Sequence, residues 1–230
     1  MADDEPQKRP SMRSFFVTGT DTGVGKTLVS VALLHALARH HARVVGMKPV
    51  AAGTTLINGV LANDDVLMLR AASTCRVPPG LDNPVLLHDP VSPHLAAARA
   101  GAAIDIPHIV ACHRQLMLQA DAVVVEGAGG FMVPLSETET GADLAQALDL
   151  PVVLVVGLRL GCLNHALLTA QAIRARGLTL AGWVANHIDP DMLEQGSNIA
   201  FLQRQLGAPL LGRIAYQPRP DARTVNLALP

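Results

Sequence analysis

The chain has 230 residues, half of them apolar and only 3% aromatic, which is material for one domain with a single large core. Its formal net charge of −1 carries no electrostatic footprint for nucleic acid or an anionic membrane, so a small-molecule substrate is the better expectation. The apolar content is mostly Ala, Val and Leu, which suits buried parallel strands and Ala/Leu-rich helices better than an aromatic-paired sandwich or barrel.

Met1 to Ser14 are polar and mixed in charge, with Pro6 and Pro10. They lack the apolar core of a secretory signal and the Arg/Ser-rich pattern of a transit peptide, and read as a disordered tail ahead of a domain over 15–230. Phe15 to Thr18 reads as a strand. A Gly-rich loop follows, then a helix from about Lys26 to His40 that is apolar on most faces, with Leu28, Val29, Val31, Leu33, Leu34 and Leu37. Further strands are expected at Arg43 to Met47, Ala122 to Glu126, Val152 to Val156, Leu178 to Ala185 and Pro209 to Ile214. Helices are expected at Asp64–Ala72, His94–Arg99, Pro107–Gln119, Ala142–Leu148, Cys162–Arg176 and Asp191–Leu206, with Gly177 as the glycine that closes the Cys162 helix. Apolar strands separated by helices predict an α/β fold, a mainly parallel sheet with helices on both faces. Ligands in such folds sit beyond the carboxyl ends of the strands.

The longest apolar run, near Pro151 to Leu158, is too short to span a bilayer, so a cytoplasmic protein is expected. Cys75, Cys112 and Cys162 are far apart and include no C-x-x-C pair, which argues for small buried residues in a reducing compartment over a zinc site or disulfide. The nine histidines show no metal-ligand spacing, and His35, His40 and His41 read as solvent-facing or helix-end residues.

The loop Gly19 to Thr27 is a phosphate-binding loop by its residues. Thr22, Gly23, Val24 and Gly25 let backbone N–H groups turn inward as an anion nest, and the helix that follows adds its N-terminal dipole. Lys26 supplies a mobile positive charge for the β- and γ-phosphates, and Thr27 a hydroxyl for Mg²⁺. The nucleotide-binding run stops there: a valine at position 28 would be the next candidate, but it does not apply, since the chain has Leu28. The strict pattern G-x-x-x-x-G-K-[ST] places glycine at position 20, where this chain has Thr20, with Gly19 one place earlier. The strand before and the helix after supply the required context, and ATP with Mg²⁺ is the expected ligand pair.

Glu126 ends a Val-rich strand and precedes Gly127, Ala128, Gly129 and Gly130. A carboxylate there needs a partner such as a metal ion if it is buried, and the small residues suggest close backbone approach to a ligand; a partly exposed loop glutamate is the alternative. Lys48 ends the second strand and could neutralise developing charge, or could be a surface lysine. Asp64 and Asp65 could cap the helix that follows, or one of them could lie near Mg²⁺.

With these residues in hand, the chain resembles the dethiobiotin synthetases, ATP-dependent ring-closing enzymes of the P-loop superfamily. The resemblance rests on Phe16 to Thr27, Lys48 to Ala51 and Val125 to Gly130. It continues through Leu160-Gly161-Cys162-Leu163-Asn164-His165-Ala166, Leu180 to Asn186 and Pro209 to Gly212, so it covers nearly the whole domain. The phosphate loop is shared with many ATPases; the Cys162 and Trp183 segments are more specific. Thr20 is itself normal for that family. The resemblance implies a substrate like 7,8-diaminopelargonate and CO₂, with a carbamate phosphorylated by ATP and then attacked by the second amine, closing a ureido ring and releasing phosphate. It implies Lys26 and Lys48 as charge stabilisers and Thr27, Asp65 and Glu126 as Mg²⁺ ligands, with Asp64 an open neighbour. Asn186 resembles the residue that reads adenine. Lys48, Gly129 and position 52 fall in the substrate region, Ala52 standing where relatives carry a serine. Asn164 resembles a contact to the substrate carboxylate across the interface of a homodimer.

Two rivals compete with this reading. A cobyrinate-amidating ligase carries a glutamine amidotransferase domain for which this chain has no room. A dimerising partition-type ATPase switch places a second lysine early in its loop, where this chain has Thr20 or a neighbour.

Overall fold

The computed structural model describes residues 13–57 and 59–230. The chain begins with β1 (Arg13–Gly19), α1 (Lys26–Ala38), β2 (Val44–Met47), β3 (Val50–Ala52), β4 (Thr55–Ile57) and β5 (Val60–Ala62). It continues through α2 (Asp64–Ala72), α3 (Pro79–Asp82), β6 (Val85–Leu87), α4 (Pro93–Arg99), α5 (Ile106–Gln119) and β7 (Ala122–Gly130). The last third is α6 (Gly141–Leu148), β8 (Val152–Leu158), α7 (Cys162–Ala175), β9 (Leu180–His187), α8 (Gln195–Gln205) and β10 (Leu210–Ile214).

Six strands form one parallel sheet in the order β10-β9-β8-β1-β7-β2. Both faces are apolar because alternate strand residues point to opposite sides. Phe15, Val17, Val124 and Val153 pack with Leu33, Leu34 and Leu37 of α1. Phe16, Val123, Val125 and Leu154 pack with Ile109 and Leu116 of α5 and with Ala166 and Ile173 of α7 on the other side. This is the expected α/β architecture with helices on both faces.

Several boundaries differ from the sequence reading. Arg13 and Ser14, read as the end of the tail, are the first two residues of β1, where they pair with Ala122 and Val123; residues 1–12 of that tail lie outside the described residues. Glu126 is not a strand end: β7 runs on to Gly130, which pairs with Gly19. The helix expected from Asp191 starts at Gln195, because the Asp189 side chain accepts from the Asp191 N–H and Glu194 takes a left-handed backbone. The small strands β3 and β6, the β4–β5 hairpin and α3 escape a periodicity reading because each has only three or four residues. Gly177 closes α7 with φ of 73°, as its position predicted.

Candidate active site

The phosphate loop connects the carboxyl end of β1 to the first turn of α1. Gly23 and Gly25 hold φ of 74° and 91°, a left-handed region open to glycine but costly for other residues. Val24 between them contributes backbone alone, for its side chain is buried in the core. Asn186, at the end of β9, is also buried, and its Nδ2 donates to Val24 O at 2.8 Å. The amide expected to read a base therefore also holds the loop to the sheet.

Position 28 is leucine rather than valine. Leu28 is the third residue of α1; its side chain is buried in the cluster that holds Val24 and Val29, and it is absent from the lining of the site cavity. The physical reason is helical geometry. Once the chain turns into α1 after Gly25, successive side chains fan out by about 100° each, so Thr27 can face the site while its neighbour faces the core.

Lys26 donates from Nζ to Asp21 O at 3.0 Å, within its own loop. Burial and the positive charge of Lys48 lower its pKa to about 8, against the opposing pull of Glu126 and Asp65. Asp21 in turn forms an ion pair with Arg159, just past the end of β8. The sequence reading missed this pair, and no local signal joins residues so far apart.

Lys48, Asp65, Glu126 and Thr27 converge. The register of β2 on β7 aligns Met47 with Val125, so the next residues, Lys48 and Glu126, come side by side. Lys48 Nζ donates to Glu126 Oε1 at 2.6 Å, to Asp65 Oδ2 at 3.0 Å and to Gly127 O at 3.3 Å. The Thr27 hydroxyl lies 2.7 Å from Asp65 Oδ1 and 3.0 Å from Glu126 Oε1. Glu126 is 0% exposed and Lys48 is 5% exposed, which rules out the loop-glutamate and surface-lysine alternatives. Burial by itself would lower the Lys48 pKa, but the two carboxylates outweigh it and hold the ammonium above its ordinary value. Burial likewise pushes Asp65 up, and Lys48 and the Thr27 hydroxyl more than reverse that, leaving it below the usual carboxylate range.

Asp64 and Asp65 separate clearly. Asn63, not either aspartate, caps α2 by accepting from the Val66 N–H. Asp65 faces the cluster, whereas Asp64 is exposed. Two carboxylates and a hydroxyl fit Mg²⁺, which binds through one or two carboxylates and completes its shell with phosphate and water oxygens. The donor chemistry agrees: Glu126 Oε2 is buried without a hydrogen-bond partner among the described residues. Those residues contain no group of three or more His, Cys, Asp and Glu for a metal held by protein alone.

A cavity of about 720 Å³ opens over this cluster. Its lining includes Thr22, Gly23, Gly25, Lys26 and Thr27 of the loop, Lys48 and Asp65 of the cluster, and Ala52, Asn63, Pro90 to Pro93, Gly129 and Val133. Ala52 and Gly129, expected in the substrate region, thus lie on its lining. Asn164 does not: it sits exposed in the first turn of α7, away from this lining. Val24 and Asn186 lie behind the loop.

A parallel α/β sheet, a glycine loop on a helix N-terminus and a lysine, threonine and carboxylate cluster together define a P-loop NTPase. More specifically, residues 13–224 match the AAA_26 model, an AAA domain, and the chain belongs to that family. In solved structures the fold is similar to a ParA family ATPase from Chlorobium tepidum TLS, at 15% identity and TM-score 0.57 over 90% of this chain and 86% of that one. It is also similar to the septum site-determining protein MinD of Pyrococcus horikoshii OT3, solved with Mg-ADP, at 16% identity and TM-score 0.57 over 90% and 82% of the two chains. A chain of the MinC:MinD cell division protein complex of Aquifex aeolicus matches at 18% identity and TM-score 0.56, over 90% of this chain and 82% of that one. No described helix is long and apolar enough to cross a membrane.

Proposed function

We propose that this chain is an ATP- and Mg²⁺-dependent dethiobiotin synthetase, phosphorylating a carbamate of a diamine such as 7,8-diaminopelargonate and closing a ureido ring. The carrying observation is the roomy cavity whose lining joins the phosphate loop and Lys48 to Ala52, Gly129 and Pro90 to Pro93. That space suits a small acceptor lying beside a phosphoryl group, and the order of motifs along the chain is similar to that family's.

In this reading the loop N–H groups and Lys26 bind the phosphates and Lys48 faces the carbamate oxygens. Thr27, Asp65 and Glu126 would hold Mg²⁺, which supplies charge neutralisation on the phosphoryl oxygens when bound. The chain's own contribution is positioning: the acceptor is kept between Lys48 and the Gly129 backbone, so the second amine meets the activated carbon as a neighbour. The second amine expels phosphate, and its proton leaves with a solvent or phosphate base.

Asn164 is exposed, and Leu160 and Leu168 around it are 93% and 56% exposed. That supports a homodimer in which the first turn of α7 reaches a partner's site.

The fold likeness to ParA and MinD proteins favours a second reading, a dimerising ATPase switch of the partition type. The two separate in one assay. A synthetase releases phosphate from ATP and Mg²⁺ when the diamine and bicarbonate are both present, with dethiobiotin as the product. Diamine-independent release that DNA stimulates would sink the synthetase and support the switch.

A further inference from the structure

Lys48 lies one residue past an edge strand and just before Pro49, which has no N–H to give. An edge strand presents unpaired backbone groups on its outer side, and a side chain aimed from its end inherits that looseness. Here the outer side of β2 is occupied residue by residue. The N–H groups of Val44, Gly46 and Lys48 donate to Thr74 Oγ1, Ser73 Oγ and Asp82 O at 2.7, 2.9 and 2.8 Å. The Lys48 carbonyl is taken as well: Asn83 Nδ2 donates to it at 2.7 Å, in a fully buried bond. Both backbone polar groups of Lys48 are therefore held by two consecutive residues, Asp82 and Asn83.

Those two residues are themselves pinned. Both Asp82 carboxylate oxygens accept from Arg70, at 2.7 Å from Nε and 2.6 Å from Nη2, and Nη2 also reaches Pro79 O at 3.2 Å. A bidentate guanidinium–carboxylate pair fixes orientation as well as distance. Asp82 is 4% exposed and Asn83 8%, so neither is a surface accessory. Arg70 lies in the last turn of α2, and Asp65 in its first. One helix thus grips Lys48 twice: Asp65 holds the ammonium, and Arg70 holds the backbone through Asp82 and Asn83.

We propose that Arg70, Asp82 and Asn83 are positioning residues for Lys48. Their work is to keep its ammonium in line with Glu126 and the phosphate loop, a role that rests on Lys48 acting on the phosphoryl or carbamate oxygens as above. They touch no reacting atom. Displacement of the lysine by a fraction of its contact distance would cost rate while leaving the loop's grip on nucleotide intact.

The test uses the full chain and two readouts. In the first, Asn83→Ala and Arg70→Lys are compared in the wild-type and Lys48→Ala backgrounds, with diamine-dependent phosphate release and ADP affinity measured for each. The clamp predicts that Asn83→Ala lowers kcat about tenfold or more, with ADP affinity within about twofold, and that Arg70→Lys falls between it and the wild type. It also predicts that neither change lowers the residual rate further once Lys48 is alanine. An equal fold-loss in both backgrounds, or an unchanged kcat for Asn83→Ala, overturns it. In the second readout, Lys48 is acylated by an amine-selective reagent and quantified by mass spectrometry, without any substrate. Faster labelling of Lys48 in both variants, with Lys26 labelling unchanged, supports the clamp; unchanged Lys48 labelling overturns it. Arg70→Lys serves this readout if Asn83→Ala fails to fold. Absent diamine-dependent turnover in the wild type would defeat the functional reading, and the labelling would then decide the clamp by itself.

Discussion

Asn186 and Gly25 are in direct contact across the back of the phosphate loop. The amide that donates to Val24 O stands where a Cβ on Gly25 would have to go. Gly25→Ala therefore meets two obstacles, the collision and a φ of 91°. We expect it to weaken ADP binding by on the order of 100-fold, measured calorimetrically. Asn186→Ala removes one buried bond and leaves Val24 O unsatisfied, a loss of about 1–3 kcal/mol, or roughly 5- to 150-fold in affinity if it falls wholly on the bound loop. Unchanged ADP affinity in both would show that the loop's geometry is held by other contacts.

Lys48 and Glu126 predict a stability effect separate from catalysis. Lys48→Met strands a carboxylate that is 0% exposed, a change that costs about 3–5 kcal/mol when one partner of a buried pair is removed. The denaturant midpoint should fall accordingly. Adding Glu126→Gln should restore much of the loss, since the uncompensated charge is gone. Losses that simply add would contradict the pairing. The phosphate-release kcat of Lys48→Ala should fall by about 100-fold or more.

Asp64 and Asp65 offer a paired control. Asp65→Asn should raise the Mg²⁺ concentration for half-maximal phosphate release roughly tenfold, while Asp64→Asn leaves it alone. A Mg²⁺ titration on the two variants in parallel reads this directly, and equal shifts would remove Asp65 from the metal set.

His113, on α5, predicts a pH dependence of folding that is remote from the site. Burial, with a smaller push from Arg114, lowers its pKa to about 4, and Nε2 has no partner among the described residues. Between about pH 4 and 6.5 the unfolded chain binds a proton that the folded chain refuses, so stability rises with pH through that window and is complete above it. The full effect is on the order of 3 kcal/mol. Urea denaturation across the window should show the slope, and His113→Leu should flatten it; an unchanged slope would assign it to other groups.

Much of this protein was legible in the residue order because the signals are local. A glycine at positive φ, a lysine and threonine at a strand-to-helix junction, and runs of Val and Leu need only neighbours a few positions away to be read. They sufficed for the α/β class, the phosphate loop and most helices. What they left open were the states of Lys48, Asp64, Asp65 and Glu126, since a charged residue near a strand end is compatible with both solvent and site.

The tertiary structure decided those four through non-local register. Met47 opposite Val125 sets Lys48 against Glu126, and the docking of α2 turns Asp65 inward and Asp64 out. The Asp82–Asn83 grip on Lys48 and the Arg159–Asp21 pair belong to the same class, made by segments that meet only after the sheet has formed. The sequence by itself determined where a phosphate could bind, because that chemistry is written in one loop. Which charges surround that phosphate was decided by the fold, because burial and partner choice depend on chain segments far apart in the sequence.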